Sequence, residues 1–245
     1  YNAANNNAIE AVNATKHKVL KFDDKVVATY YSASNGGYTE IASYIWTDVT
    51  PPAYQVVRED PYDARNPSSP FECKVFPKTV DDAEGFPALV QIKANYIMPA
   101  LVAEGYVAPD GSPISVTSDF AFKQLLSMTG TVPASHLKYA HLGCACSHVE
   151  SVTMTASVGT YQKATDPQTG ETSIQPAEKD VAFTIPVGKF EAWGVYKNTS
   201  LRCYWLSETK DANGSVTGYS LRRARYGHGV GLSPVSYTHL RAHET

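Results

Sequence analysis

Residues 149–162 read VESVTMTASVGTYQ, and in this stretch apolar and polar side chains alternate with the two-residue period of a β-strand. Residues 180–187 repeat the alternation, and the polar segment 165–178 between them favours a long hairpin loop. The sequence therefore predicts an α+β protein in which antiparallel strands dominate and a few helices accompany them.

Helices are predicted where apolar residues recur at helical spacing, in the segments 7–16, 88–104 and 118–128. The last of these has Ser118 or Asp119 as its expected N-cap. Residues 190–206 fit either a helix or a strand.

Further strands are predicted on both sides of short turns. Alternation around Asp23-Asp24-Lys25 predicts a hairpin with strands over 18–22 and 26–32. The Asn213-Gly214 turn leads into a last strand over 216–226.

Composition excludes several classes of protein. The 245 residues are 43% hydrophobic and 18% charged, which is typical of a globular chain of one or two domains. The net charge of −3 argues against electrostatic binding to nucleic acid or to acidic membranes. No apolar run approaches the roughly 18–20 residues that span a bilayer.

Four cysteines at wide spacing do not form a disulfide scaffold. Cys144 and Cys146 lie between His141 and His148, and this set of thiols and imidazoles suits zinc, although the Cys-x-Cys spacing is tighter than usual. The alternative is a loop with free thiols, and we expect no cofactor. A bridge between Cys73 and Cys203 is an option for an exported protein.

Two glycine-bearing motifs are the candidate site. The first is residues 30–40, YYSASNGGYTE, followed by Trp46, and the second is residues 226–233, YGHGVGLS. Glycines around a histidine let the backbone approach a ligand or another segment closely. Each motif alone is also consistent with turns at strand ends.

Together and in this order, the two motifs resemble the family of SpoIID (stage II sporulation protein D), which includes the LytB-type amidase enhancers. The family pattern Ser-Ser-x-Gly-Gly-x-Thr-Glu is matched by Ser34, Gly36, Gly37, Thr39 and Glu40. The closing family motif is matched by residues 227–233, whereas its final glutamine is replaced by Pro234. The resemblance is strong over 7–63 and 193–233 and thin between about 66 and 190.

The resemblance implies a lytic transglycosylase that cleaves MurNAc–GlcNAc glycan strands of peptidoglycan and acts with an amidase during engulfment in sporulation. Such chemistry needs one protonated carboxylic acid beside the scissile bond. The family's catalytic glutamate lies in a helix before the hairpin, and no matching segment is found between Tyr1 and Lys16. No catalytic residue is therefore assigned, and Glu40 is expected to be a solvated or salt-bridged residue.

The resemblance further implies the substrate-binding residues and the partners. Hydroxyl and imidazole groups would hold sugar hydroxyls, Trp46 and Tyr38 would stack on sugar rings or simply pack, and glycines would line the cleft. The candidate residues are Ser34, Gly36, Gly37, Thr39, Glu40, Gly227, His228, Gly229, Gly231 and Ser233. Expected partners are peptidoglycan strands and a cell-wall amidase, in an extracytoplasmic protein whose membrane anchor, if any, lies upstream.

The chain is expected to be a fragment of a longer protein in four parts. These are a SpoIID-like part over 1–65, a divergent or inserted region over 66–190, a SpoIID-like part over 191–233, and a tail over 234–245. The tail, PVSYTHLRAHET, resembles a translated sequencing adapter and is left out of the functional argument.

Two other functions remain open at this stage. One is a non-catalytic member that binds cell wall and enhances an amidase. The other is a β-rich surface module in which the glycine motifs are only turns. The transglycosylase hypothesis requires residues 34–40 and 227–233 to lie within about 15 Å of each other, the reach of one bound disaccharide.

Overall fold

The computed structural model describes residues 6–46, 49–67, 69–79, 85–134, 148–234 and 236. The chain forms two compact units, residues 1–30 and 31–245. No helix in the described ranges has the length and apolar character needed to cross a membrane.

The first unit contains a helix and a small hairpin. Helix α1 spans Asn6–Thr15, and strands β1 (Lys21–Phe22) and β2 (Lys25–Val26) pair in antiparallel fashion. Asp23 and Asp24 form the two-residue turn with φ angles of +49° and +59°, the left-handed conformation that such hairpin turns require. The predicted helix and hairpin are confirmed, but the second strand ends at Val26 rather than Ser32.

The second unit contains two three-stranded antiparallel sheets. The order is β3-β8-β7 in one sheet and β4-β5-β6 in the other. The strands are β3 (Glu72–Pro77), β4 (Ala121–Thr131), β5 (Ser151–Thr165), β6 (Thr172–Pro186), β7 (Leu201–Lys210) and β8 (Val216–Tyr226). Every strand pair is antiparallel, as the α+β prediction requires.

The β5–β6 hairpin confirms the strands predicted over 149–162 and 180–187. Its ladder, however, continues outward to the pair Thr165–Thr172, so the connecting turn contains only residues 166–171. The predicted loop over 165–178 is therefore too long. Its polar composition reflects exposure on both faces of the outer hairpin, not the absence of strand structure.

The helix predicted over 118–128 is wrong, because this segment forms strand β4. Register shifts between Phe122 and Gln124 and between Leu125 and Ser127 bulge the strand. The bulges turn both Leu125 and Met128 into the core, so buried residues are three apart, as on a helix. The predicted N-cap role of Ser118 or Asp119 is wrong with it. Asp119 instead ends a short 3₁₀ turn, Thr117–Asp119, and its Oδ2 accepts hydrogen bonds from the backbone N–H groups of residues 115 and 116.

The helix predicted over 88–104 is confirmed. It consists of α4 (Leu89–Ile92), a π-helical stretch (Lys93–Ile97) and α5 (Met98–Ala103). Pro99 has no backbone N–H and cannot form the i→i−4 hydrogen bond of an α-helix. A wider, π-helical turn next to the proline is one way in which a helix continues past such a position.

The described part of the second unit also contains three shorter helices. They are α2 (Ala42–Ile45), α3 (Pro61–Arg65) and α6 (Gly188–Ala192). The ambiguous segment 190–206 is thus the end of a helix followed by strand β7. Asn213-Gly214 forms the predicted turn before β8, since the Gly214 N–H donates to Asp211 O (3.0 Å).

One hydrophobic core joins the long helical segment to both sheets. Ile92, Ile97 and Leu101 from the helices are completely buried, as are Val152 and Met154 from β5. Phe76 of β3 contacts the rings of Phe86 and Phe190 edge to face, at 5.4 and 5.5 Å between centroids. Tyr219 and Leu221 of β8 belong to this core, and the second glycine motif begins where β8 ends.

Candidate functional site

The two glycine motifs lie directly against each other. Ser34 and Tyr226 exchange two backbone hydrogen bonds of 3.1 Å, and the Glu40 N–H donates to the Gly229 carbonyl at 2.9 Å. The Gly229 N–H in turn donates to Ser32 Oγ at 2.9 Å. The expected juxtaposition within 15 Å is therefore observed, and it takes the form of direct hydrogen bonding.

Arg225 is the residue that holds the two motifs together. Its guanidinium is completely buried and donates from Nε to Asn35 O (3.1 Å) and from Nη2 to Tyr38 O (3.0 Å). Its Nη1 donates to Glu40 Oε2 at 2.8 Å. The guanidinium also lies over the ring of Trp205, 5.4 Å from its centroid. All these groups come from the first motif or from β7, so one side chain ties the strand end to the loop.

Glu40 is a buried, ion-paired carboxylate. Its side chain has no exposed area, and its Oε1 accepts the Ile41 N–H at 2.9 Å. Its Oε2 faces Arg225 and also His148 Nδ1, which is 3.4 Å away. Neighbouring positive charge and hydrogen bonding favour the ionised form, whereas a general acid needs the protonated form. Of the two environments expected for Glu40, the structure shows the ion pair.

Glycine is required where the two motifs touch. Gly36 has φ +76°, and a Cβ there would lie 2.7 Å from Arg225 N and 2.9 Å from the Trp205 ring. Gly229 has φ +72°, and its Cβ would lie 2.6 Å from Arg225 Nε. Arg225 itself has φ +74°, an uncommon conformation for a residue with a side chain. The close approach of the two motifs around Arg225 thus needs these two glycines.

A second buried carboxylate organises the other side of the first motif. Asp63 of α3 is completely buried, and its Oδ2 accepts hydrogen bonds from Ser34 Oγ (2.8 Å) and Gly36 N–H (2.7 Å). Its Oδ1 accepts from Ser69 Oγ (2.9 Å) and Ser233 Oγ (3.3 Å). Asp63 therefore connects one serine from each motif to a single carboxylate.

A cavity of about 480 Å³ opens beside this framework. Its walls are Tyr44, Ile45, Arg202, Cys203, Arg225, Gly227 and His228. The volume lies within the range of small-ligand sites, which usually combine aromatic walls with a few polar groups.

His228 presents a neutral imidazole to this cavity. Its Nδ1 accepts the Val230 N–H at 3.0 Å, so the proton of the neutral ring lies on Nε2. Burial lowers the pKa of His228, and the nearby charge of Arg225 lowers it further. The indole of Trp46 lies 5.3 Å from the imidazole, between ring centroids, and is 36% exposed.

The predicted site residues divide into three groups. Gly227 and His228 line the cavity, whereas Thr39 and Gly231 are half-buried and do not belong to its lining. Thr39 Oγ1 donates to Val56 O at 2.9 Å and accepts the Arg58 N–H at 2.8 Å. The remaining six belong to the buried framework: Ser34, Gly36, Gly37, Glu40, Gly229 and Ser233.

Of the two aromatic residues considered for stacking on sugars, one is committed to packing. The Tyr38 ring stacks on Trp205, with 5.8 Å between centroids and 20° between planes. Trp46 is the more exposed of the two, beside His228.

Several functional residues were missed by the sequence argument. They are Arg225, Asp63 and Tyr44, which lie at the candidate site but belong to no family motif. Three arginines, Arg222, Arg223 and Arg225, lie within four residues just before the second motif, which is unusual for a strand. This cluster was the feature of the sequence that could have indicated Arg225.

The cysteines do not form the bridge that was considered. Cys73 and Cys203 are both free thiols. Cys73 is on β3 opposite Arg222, and Cys203 is on β7 opposite Ala224, so β8 lies between them. Two strand spacings amount to about 9.6 Å, beyond the reach of a disulfide.

The zinc hypothesis concerns His141, Cys144 and Cys146, which lie outside the described residues, so it stays a prediction. Its fourth member, His148, is described and contacts Glu40 and the Tyr44 ring. Within the described ranges, no group of three histidine, cysteine or acidic side chains is arranged to hold a metal.

Comparison with known proteins gives one informative match. The chain is 41% identical over 59 residues to the amidase enhancer of Bacillus subtilis (strain 168), a match that covers 24% of this chain. The chain spans only 8% of that protein's length. No family model and no solved structure matches. Over these 59 residues, the match supports the resemblance to the SpoIID and LytB family.

Proposed function

We propose that the described second unit binds glycan strands of peptidoglycan, as part of an extracytoplasmic cell-wall protein that works with an amidase. The name of the bacterial relative supports the cell-wall and amidase parts of this proposal. The glycan part is supported by the cavity beside Arg225, by Tyr44 in its wall and by Trp46 next to His228.

The single observation that carries the proposal is the contact between His228, which lines this cavity, and the Trp46 indole, 5.3 Å from its ring. An exposed tryptophan face beside a neutral imidazole suits a sugar ring, which has apolar C–H faces and hydroxyl edges. Tyr31 and Tyr226 add exposed aromatic surface, 74% and 49% exposed, on the segments that the Ser34–Tyr226 hydrogen bonds join. Aromatic surface beside a neutral imidazole is typical of sites that bind sugar rings.

Lytic transglycosylation of the MurNAc–GlcNAc linkage is the finer proposal. It needs an acid that stays protonated near neutral pH. Glu40 is paired with Arg225, and Asp63 accepts four hydrogen bonds, so both carboxylates of the framework are acceptors. We therefore propose that any proton donor for cleavage lies outside this framework.

The second candidate function is a non-catalytic amidase enhancer. The name of the relative favours this function for the chain. So does the state of the two framework carboxylates, because Glu40 is ion-paired and Asp63 accepts four hydrogen bonds. In this case the domain positions glycan strands for a separate amidase rather than cutting them.

Co-sedimentation with purified peptidoglycan tests the binding proposal. Trp46→Ala and His228→Ala should each weaken binding by about tenfold, the effect of losing one stacking or hydrogen-bonding contact. Tyr161→Ala, on the outer half of the β5–β6 hairpin, is the matched control and should leave binding unchanged. Equal binding by all three variants would overturn the assignment of this cavity to glycan.

Digestion of glycan strands tests whether this chain cleaves glycan by itself. Incubation of the chain with peptide-free strands should yield no 1,6-anhydro ends, while the strands remain bound. Release of such ends by this chain would refute the enhancer function and would require an acid among its own residues.

A further inference from the structure

A second cavity, of about 370 Å³, lies next to the first and has no role in the function proposed so far. The two cavities share Tyr44 and Arg202 as lining residues. The second is further lined by Tyr204 and Arg223, together with the carboxylates Glu150 and Glu191.

Arg223 at this cavity has two hydrogen-bond donors that are unpaired within the described residues. It is 3% exposed, and its Nη2 donates to Glu191 Oε2 at 2.7 Å. Its Nε and Nη1, by contrast, have no hydrogen-bond partner within the described part of the chain. The guanidinium lies 5.3 Å from the centroid of the Tyr204 ring, and the Tyr204 hydroxyl also has no partner among those residues. Buried polar groups are rarely left in this state.

The missing partner must be an acceptor with oxygen atoms. Arginine carries only donors, and planar carboxylates match the guanidinium best. Burial raises the pKa of Tyr204 to about 12, so its hydroxyl is a neutral donor as well.

Arg202 supplies an accessible positive charge at the boundary of the two cavities. Its side chain is exposed, unlike that of Arg223. Glu191 is already paired with Arg223, which leaves the Arg202 charge to balance a ligand. A molecule that occupies the first cavity would extend past Arg202 into the second.

We propose that the second cavity binds a carboxylate of the glycan strand held in the first, with Arg202 at the rim and Arg223 and Tyr204 beneath. This rests on the proposed glycan binding. Two sources share the chemistry: the lactyl carboxylate that muramic acid exposes once its peptide is removed, and the carboxylates of the peptide itself.

Isothermal titration of the full chain with three defined probes tests the proposal. The probes are N-acetylglucosamine tetramer without a carboxylate, a peptide-free strand fragment of the same length with lactyl carboxylates, and an intact fragment with peptides. At least one carboxylate-bearing fragment should bind about tenfold more tightly than the tetramer, the gain expected from one charged contact. Preference for the peptide-free fragment identifies the lactyl group, and preference for the intact one identifies the peptide.

Variants localise the effect. Arg202→Gln should lower the affinity for the carboxylate-bearing fragments much more than that for the tetramer and so abolish the preference, whereas Lys163→Gln, which removes one positive charge from the exposed hairpin, should alter neither affinity. Arg223→Lys keeps the charge at the buried position and should reduce the preference in a protein with unchanged circular dichroism. Equal affinity of all three probes, or a preference that survives Arg202→Gln, would overturn the carboxylate site alone. Failure of every probe to bind would instead overturn the glycan proposal on which it rests.

Discussion

Replacing Glu40 with glutamine should lower the stability of the second unit markedly. The substitution keeps the shape of the side chain and the acceptor for the Ile41 N–H, but it removes the charge opposite Arg225 Nη1. Both side chains are fully buried, so the guanidinium would keep only the carbonyls of residues 35 and 38 as acceptors. Breaking a buried ion pair on one side costs about 3–5 kcal/mol.

Thermal unfolding measures this loss. For a chain of this size, each kcal/mol lowers the Tm by about 2–4 °C. A loss of about 3 kcal/mol should therefore lower the Tm of Glu40→Gln by roughly 6–12 °C. Trp205 lies against Arg225, which makes its fluorescence a local reporter. Glu208→Gln is the control, because Glu208 forms an exposed pair with Lys210 at 2.9 Å and such pairs contribute less than about 1 kcal/mol.

A second substitution separates the ion pair from general damage to the site. Arg225→Met should destabilise the wild type strongly but should cost less in the Glu40→Gln background, because no unpaired charge then remains. If Glu40→Gln unfolds at the same temperature as the Glu208 control, the ion pair does not hold the two motifs together and the argument for Arg225 is wrong.

Three further outcomes follow from the same geometry. Gly229→Ala should lose at least about 1–2 kcal/mol in chemical denaturation, because its backbone is left-handed and the new Cβ would meet Arg225 Nε at 2.6 Å; a neutral effect would contradict the close packing. In thiol titration with Ellman's reagent, Cys73→Ser should remove one rapidly reacting thiol. Cys203→Ser should leave the fast phase unchanged, because burial raises the pKa of that thiol to about 11. The pKa of His228 in the folded protein lies below 6.5, so the stabilisation that depends on its neutral imidazole should be complete above pH 6.5 and should be lost as the pH falls through the folded pKa. His228→Gln should remove this pH dependence from a series of Tm values.

The strands and turns of this fold were largely predictable, because they depend on local patterns. The β5–β6 alternation and the turns at Asp23-Asp24 and Asn213-Gly214 each needed only a few neighbouring residues. Strand β4 was not predictable in this way. Two bulges space its buried residues like those of a helix, and only pairing with β5 shows that they belong to a strand.

The site was predictable in its motifs but not in its connections. The family resemblance placed the two glycine motifs together, and the Ser34–Tyr226 backbone pairing shows this directly. The role of Arg225 depends on contacts with residues about 185–190 positions earlier in the chain, which no local pattern contains. The same holds for Asp63, a single acidic residue whose four partners are recruited from three separate segments.

The arrangement also explains why most of the motif residues are buried. A loop that presents a cavity wall must itself be held in one conformation, and here two carboxylates and one arginine do so from beneath. Gly227 and His228 remain on the cavity side of this framework. Substitutions in the framework should therefore reduce stability, whereas substitutions at the cavity should reduce binding.

Nuclear magnetic resonance titration with N-acetylglucosamine tetramer tests the central claim most directly. We expect the resonances of the Trp46 indole N–H and the His228 imidazole to shift together and to saturate with one affinity, while those of Tyr161 on the outer hairpin do not shift. Saturable shifts confined to the outer hairpin, or none at Trp46 and His228, would show that the cavity beside Arg225 is not where the glycan binds.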